Sequence, residues 1–339
     1  MTVENRNIVI WLSFVCVVIY LMIVVGGVTR LTQSGLSMVD WKPIMGVVPP
    51  LTPTDWEEAF EAYKQYPEFQ KINQDMSLEE FKGIYYWEYG HRLLGRVIGL
   101  VYFIPFIFFL SLGRIEKKWM ARLWLALILG GLQGLMGWYM VKSGLVDLPH
   151  VSHYRLAAHL LLAIFILTFL VWLIMDVLRI KRIEVSNGIR RLSVGLLILL
   201  GFQLMMGAFT AGLDAGRGFN TYPLMHGQWL ADAALMIEPS WRNIIENGVM
   251  IQFIHRWLGA LLVLGVMGLA YMSARSGMML PAAFLITVTL TQFGLGVATL
   301  MLRVPVALGS LHQAVACLMV LSLVHFVYVT RPSRLMVGS

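Results

Sequence analysis

The chain has 339 residues, of which 58 % are hydrophobic and only 13 % are charged. This composition argues against a soluble globular protein and predicts membrane spans, because a helix needs about 20 apolar residues to cross the hydrocarbon layer. The net charge of +7 requires no nucleic-acid partner, since short basic loops account for it.

Eight apolar segments are long enough to span a membrane. They are about 9–29, 92–112, 121–141, 156–178, 192–213, 252–273, 280–302 and 309–330. Helices are expected, because backbone groups in lipid must be hydrogen-bonded internally and the alternating pattern of a β-barrel is absent. The predicted fold class is therefore an all-α integral membrane protein with eight transmembrane helices, arranged as two pseudo-symmetric four-helix bundles.

The charges of the connecting segments predict the orientation. With the N-terminus inside, the inner segments hold 13 of the 26 Lys and Arg and four acidic residues, a net charge of +9. The rest of the chain holds 13 basic and 15 acidic residues, a net charge of −2. Because short basic loops stay in the cytoplasm, both termini are predicted to be cytoplasmic. The first segment lacks the features of a cleaved signal and no transit peptide precedes it, which favours the inner membrane of a bacterium.

A duplicated motif organises the chain. The stretch EYGHRLLG at 88–95 recurs as QFIHRWLG at 252–259, and each copy is followed two segments later by another histidine. The four histidines are His91, His159, His255 and His312. With the predicted topology, all four lie at similar depth near the outer face.

This repeat predicts two domains of one kind. Residues 1–180 form an N-terminal four-helix bundle with an outer loop at 30–91, and residues 181–339 form a C-terminal bundle. In each, the second and fourth helices offer imidazoles to one another, a geometry that suits a haem iron with two axial histidines. A single membrane histidine is more often a packing residue, but the recurrence of both pairs favours ligands. Zinc is disfavoured, because close His spacing is absent and neither Cys16 nor Cys317 lies near the histidines in sequence.

The halves differ beside the first histidine of each pair. Glu88 lies one helical turn before His91, whereas the matched residue before His255 is Gln252. This asymmetry predicts one reactive haem and one that transfers electrons. The alternative, held equal on spacing alone, is that Glu88 only favours the positive end of its helix. Arg92, Arg96 and Arg256 are candidate partners for haem propionates.

The first outer loop carries helical signals. Capping boxes are predicted at Thr54–Glu57 and Ser77–Glu80, and three aromatic residues follow the first box at helical spacing. Such a segment is suited to cover the outer mouth of the first bundle, although a solvated hairpin is the simpler alternative. The remaining histidines do not repeat and are interpreted as structural or solvated; they are His150, His153, His226 and His325.

Several stretches closely resemble haem A synthase, a resemblance that runs from about residue 10 to 330. They are GGVTRLTQSGLSMVDWKPI at 26–44, EYGHR at 88–92, RLAAH at 155–159 and NTYPLM at 220–225. The first outer loop has no cysteine pair, so the chain resembles the cysteine-poor class of proteobacteria and mitochondria.

The resemblance implies a function and a set of site residues. The family oxidises a ring methyl group of haem O to a formyl group and so makes haem A for terminal oxidases. By matching motifs, His91 and His159 would hold the substrate haem O or product haem A, His255 and His312 would ligate the cofactor haem b, and Glu88 would be the catalytic acid.

Partners and alternatives follow from the same interpretation. Besides haem O and the lipid bilayer, the candidate partners are haem O synthase, terminal oxidase assembly factors and a second copy of the chain. The sequence does not identify the electron acceptor. The alternative function is a non-catalytic membrane protein that transfers electrons through two haems, which would need all four histidines but not Glu88.

Overall fold

The computed structural model describes residues 3–39, 45–144 and 149–332. Most of these residues are helical, and eight of the helices are long and apolar enough to cross a membrane. The predicted fold class is confirmed, because each of the eight apolar segments lies in one of these long helices.

The helices in chain order are α1 (Val3–Leu31), α2 (Pro53–Lys64), α3 (Pro67–Lys71), α4 (Leu78–Ser111), α5 (Lys117–Gly144), α6 (His153–Val177), α7 (Asn187–Gly212), α8 (Asn243–Glu246), α9 (Gly248–Ala274), α10 (Met279–Met301) and α11 (Val306–Thr330). The long helices of the first half are α1, α4, α5 and α6, and those of the second half are α7, α9, α10 and α11. Short 3₁₀ turns accompany the smaller helices in the outer segments.

The two halves repeat the same packing relations. In the first half α1 packs on α4 and α6, and α5 packs on α6; in the second α7 packs on α9 and α11, and α10 packs on α11. The halves meet where α1 contacts α11 and α6 contacts α7. This arrangement is compatible with the predicted pair of pseudo-symmetric bundles, and the domain boundary near residue 180 stays a prediction.

Polar contacts join the halves at their outer ends. Arg30 at the end of α1 donates to the Ala211 carbonyl at 2.7 Å and to Asp214 Oδ2 at 2.9 Å, so it caps the C-terminal end of α7. Gln313 of α11 donates to the Ile23 carbonyl at 2.6 Å. A Cβ on Gly27 would lie only 2.6 Å from Gln313 Oε1, so the small residue is what permits α1 and α11 to approach this closely.

The start of α4 differs from the segment predicted by hydropathy. The helix begins at Leu78 rather than near residue 92, because the predicted capping box is present: Ser77 accepts from the Glu80 amide, and Glu80 accepts from the Ser77 amide. The box predicted at Thr54 is wrong by two residues. Thr52 caps α2, and Asp55 accepts from its amide, because Pro53 is already the first helical residue.

An aromatic cluster covers the outer end of α4. The predicted apolar stripe of α2 packs there: Trp56, Phe60 and Tyr63 are all buried against Phe81 and Tyr85. Aromatic pairs at 5.0–5.2 Å between ring centroids hold the contact. The helices α2 and α3 therefore form a packed cover on the outer end of α4, in which the apolar stripe of α2 is buried and not solvated. That this cover also closes the outer mouth of the first bundle stays a prediction.

Candidate functional site

Each of the four repeated histidines packs against a glycine of a neighbouring long helix. A Cβ on that glycine would lie 3.2 Å from the ring of His91, 3.1 Å from His159, 3.0 Å from His255 and 2.8 Å from His312. The glycines, in the same order, are Gly26, Gly137, Gly207 and Gly296. The two imidazoles of each half also lie near enough to interact electrostatically. The packing therefore sets each histidine against a glycine, and the pairing of His91 with His159 and of His255 with His312 as haem ligands stays a prediction.

Glutamine amides contact three of the four histidines. Gln133 Nε2 lies 3.2 Å from His159 Nδ1 and donates to the His159 carbonyl at 3.1 Å. Gln203 Nε2 donates to the His255 carbonyl at 3.0 Å and lies 3.5 Å from the ring nitrogen Nε2. Gln292 Nε2 lies 3.3 Å from His312 Nε2. These contacts fix the histidines relative to α5, α7 and α10.

The donor set fits haem better than a protein-ligated metal ion. Among the described residues, no three or more His, Cys, Asp or Glu side chains come together as a metal site, so tetrahedral zinc has too few ligands. A haem iron needs only two axial ligands, since its ring supplies the others. Buried ring nitrogens also lack hydrogen-bond partners within the described part of the chain, at Nδ1 of His255 and His312. Two imidazoles per half therefore fit one haem per half.

Glu88 is buried and fully engaged. Only 2 % of its surface is exposed, and its Oε2 accepts from Ser37 Oγ at 2.8 Å and from the Met38 amide at 2.7 Å. Its Oε1 accepts from Arg92, which also donates to the Met38 carbonyl at 2.8 Å. The carboxylate thus ties the first outer loop to α4, one turn from His91.

The second half repeats this anchor without the charge. Gln252 donates to the carbonyls of Ala215 and Gly218 at 2.9 and 2.8 Å, and accepts from Arg256 at 3.0 Å. Arg256 in turn donates to the Thr221 carbonyl at 2.7 Å. The loop after α7 is therefore pinned to α9 as the loop after α1 is pinned to α4. The essential difference is the direction of the bonds: loop groups donate to Glu88, whereas Gln252 donates to loop carbonyls.

The arginines predicted to face propionates have other partners as well. Arg92 and Arg256 hold loop carbonyls, and Arg256 Nε is buried without a hydrogen bond among the described residues. Arg96 lies one turn beyond Arg92 on α4 and is partly buried. Their role toward haem stays a prediction.

The unrepeated histidines lie apart from the two pairs. His153 Nε2 donates to the Ile245 carbonyl at 2.8 Å, which makes it a structural link between α6 and α8. His325 lies deep in α11, three turns or more beyond His312. His226 lies in the loop before α8, and His150 precedes α6.

Sequence reasoning missed two features of the sites. The loop partners of Glu88, Ser37 and Met38, lie about 50 residues away, and no local signal pairs them. Gln203 was also missed, although a signal existed: it stands four residues before Gly207, as Gln133 stands before Gly137 and Gln292 before Gly296. Such spacing places each glutamine one turn from its glycine on the same helix face.

A second buried carboxyl lies in the outer cover. Glu68 of α3 is 6 % exposed, and Tyr63 donates to its Oε2 at 3.0 Å while Asn73 donates to the Tyr63 hydroxyl at 2.8 Å. Burial raises the pKa of Glu68 to about 7; the Tyr63 hydrogen bond and the Arg30 charge lower it, and the nearby charge of Glu88 raises it. The outer cover therefore contains a group that titrates near neutral pH.

This carboxyl should make the outer cover pH-dependent. Because its pKa is raised from 4.5 to about 7 on folding, the folded state holds the proton more tightly. The stabilisation is present below pH 4.5 and is lost as the pH rises through 7, a difference on the order of 3 kcal/mol. We expect proteolysis of α2 and α3 to quicken between pH 5 and pH 8 in the wild type but much less in Glu68→Gln.

The matched control for this prediction is Glu61→Gln. Glu61 lies on α2 with a 65 % exposed side chain and pairs with Lys64, so its replacement should leave the pH dependence as in the wild type. Equal pH dependence in the Glu68→Gln and Glu61→Gln proteins would show that Glu68 does not control the cover.

The two halves differ in how closely their second and third long helices pack together. In the most apolar stretch of α4, 17 % of the residues are buried, and in that of α5 6 % are buried. The corresponding share is 28 % in α9 and 28 % in α10. Accordingly, α4 touches α5 much less than α9 touches α10. In the first half α4 and α5 are thus packed together less closely than α9 and α10 are in the second half.

Fold and site together define a multi-pass membrane protein with a duplicated, glycine-cradled histidine pair. A family model described as cytochrome oxidase assembly protein matches residues 9–324. The chain belongs to this family.

Relatives named "Heme A synthase" cover nearly the whole chain. The protein of Nitrosospira multiformis is 45 % identical over 327 residues, which are 93 % of this chain and 91 % of the relative. That of Parvibaculum lavamentivorans is 43 % identical over 304 residues, 90 % of this chain and 88 % of the relative. That of Wolbachia pipientis wMel is 41 % identical over 326 residues, with 95 % and 92 % covered. The resemblance to haem A synthase is therefore confirmed.

Proposed function

We propose that the chain is a haem A synthase, an oxidoreductase that converts a ring methyl group of haem O to a formyl group. The observation that carries the proposal is that each half of this family member holds two histidines, each packed against a glycine. His91 and His159 would hold haem O and then haem A, and His255 and His312 would ligate haem b. When bound, haem b supplies a one-electron relay that carries electrons away from the substrate.

The first half is the better candidate for the substrate. It alone carries an acid, Glu88, one turn from a ligand histidine, whereas Gln252 at the matched place carries no charge. The looser packing of α4 on α5 would also let an apolar substrate enter from the bilayer, whereas a permanent cofactor suits the more closely packed second half. Both differences point the same way.

Glu88 has two chemical tasks open to it in this assignment. Its carboxylate can accept a proton from the group being oxidised, or its negative charge can stabilise positive charge that develops at the reacting carbon. Ser37, the Met38 amide and Arg92 hold both oxygens in place, so the side chain is pre-oriented. Because Glu88 is buried, bulk water has little access to this carboxylate.

The proposal is tested in cells that make haem O but no haem A. Production of the chain in such cells should give haem A, detected by chromatography and mass after acidic extraction of the membranes. Accumulation of haem O alone, in membranes that contain the full-length protein, would contradict the proposal. A di-haem electron carrier without catalysis would give that result.

We also propose the topology that the loop charges indicate, with both termini in the cytoplasm of a bacterial inner membrane. A reporter fused after residue 334 should then be active only inside, and one inserted near residue 70 only outside, because the net charges of +9 and −2 fix the orientation. The opposite activity at either point would move all four histidines to the inner side.

A further inference from the structure

Among the described residues, His91 is the one repeated histidine whose ring no glutamine contacts. In α5, α7 and α10 a glutamine stands four residues before the cradling glycine and contacts the histidine. In α1 the residue four before Gly26 is Met22. One site of four therefore breaks the pattern.

Met22 occupies the same place in the first half as Gln203 does in the second. Its methyl carbon would lie 3.4 Å from a Cβ on Gly95, and Gln203 Nε2 would lie 3.3 Å from a Cβ on Gly259. Gly95 and Gly259 are matched positions of the duplicated motif. The difference is thus a substitution within a shared packing site.

The substitution removes a hydrogen-bond donor. A thioether is only a weak acceptor, whereas an amide NH₂ has two donors. In the described ranges no protein group is hydrogen-bonded to the His91 ring. The ring also presents its Nε2 and Cδ2 edge to Gly26, whereas the three others present the Cε1 and Nδ1 edge to theirs. Within the described part of the chain, His91 is oriented by packing against Gly26.

The glutamines of α5 and α7 also donate to the backbone carbonyls of His159 and His255, which holds those histidines in position beyond any contact with the ring. Loss of an outer group that positions a metal-ligating histidine typically changes affinity or activity about 10–100-fold. We propose that Met22 makes His91 the labile axial ligand of the substrate haem, while the glutamines keep His159 and both haem b ligands in place. When His91 leaves, the iron–nitrogen bond breaks, the nitrogen keeps its electron pair, and no proton or oxidant is needed. This inference rests on the proposed function and says how one haem of two opens a coordination position.

The test exchanges the two residues in the full-length protein with both haems bound. Carbon monoxide is added to the dithionite-reduced wild type, Met22→Gln and Gln203→Met proteins, and the absorbance changes of the two haem types are followed separately. In the wild type only the substrate-side haem should bind carbon monoxide. Met22→Gln should slow this binding about 10–100-fold. Gln203→Met should make haem b reactive.

Haem extraction from the same samples separates this inference from the proposed function. Wild-type carbon monoxide binding by a Met22→Gln protein that holds both haems would overturn the inference, and so would a Gln203→Met protein with unreactive haem b. Either result leaves haem A in the extract and so leaves the proposed function intact. Extracts without haem O or haem A would instead contradict the proposed function.

Discussion

Replacing Glu88 by glutamine should give a membrane-inserted protein that binds both haems and makes almost no haem A. The amide cannot accept a proton in the reaction and cannot stabilise a positive charge. A positioned acid–base group typically contributes about 10²–10⁴ in rate, and we expect a loss of this size. Haem O or a hydroxylated intermediate should accumulate, as measured by chromatography of extracted haem.

The structure also sets the stability cost of this variant. The three groups around Glu88 are donors, so the new NH₂ group must face at least one of them, most simply Arg92. Losing a charge-assisted hydrogen bond of this kind costs about 1.5–3 kcal/mol. Gln252 shows that an amide can accept from arginine in this fold, but there its NH₂ group faces carbonyls.

A control must separate chemistry from loop anchoring. Ser37→Ala removes one hydrogen bond to Glu88 and keeps the carboxylate, so it should loosen the first outer loop while lowering haem A yield no more than about tenfold. If Ser37→Ala lost as much activity as Glu88→Gln, anchoring would explain the loss. Because α4 begins at Leu78, Glu88 lies inside the helix and the alternative role as a helix-end charge is wrong. A wild-type yield from a normally expressed Glu88→Gln protein would therefore leave Glu88 as a loop anchor only.

Replacing His255 or His312 by alanine should remove haem b selectively. The iron would lose one of its two protein ligands, and the glycine that cradles the ring would face an empty space, so neither coordination nor packing would hold the haem. The absorbance of haem b should fall by most of its wild-type value, while the haem of the first half remains. Alanine at His91 or His159 should disturb the substrate haem instead.

The matched control is His325→Ala, which removes a histidine from the same helix, α11, that carries His312. His325 has no counterpart in the sequence of the first half, so both haems should remain. Full haem content in both sites of all four alanine variants would show the assignment to be wrong.

Much of the architecture could be read from the sequence, because lipid imposes long apolar helices and the duplication marks matched residues. The extension of α4 to Leu78 was hidden from hydropathy, since its first turns are polar and lie outside the apolar segment; only the capping box at Ser77 signalled it. The capping box predicted at Thr54 lies two residues too late, because α2 already begins at Pro53.

The candidate site was predictable where it repeats and hidden where it depends on the fold. The histidine pairs follow from matched positions, and their glycine cradles could be seen in part as small residues near the helix ends. The contacts of Glu88 with Ser37 and Met38 required knowledge of how the first outer loop returns to α4. The weak contact between α4 and α5 was also unpredictable, because all four of these helices are apolar enough to span a membrane and only their packing distinguishes the halves.

The most direct measurement is the haem content of the purified wild-type protein, produced in cells that make haem O. Acid extraction followed by chromatography and mass should give haem b together with haem O, its hydroxylated intermediate or haem A, near one of each type per chain. Haem b alone, at two per chain, would contradict a division into a substrate half and a cofactor half.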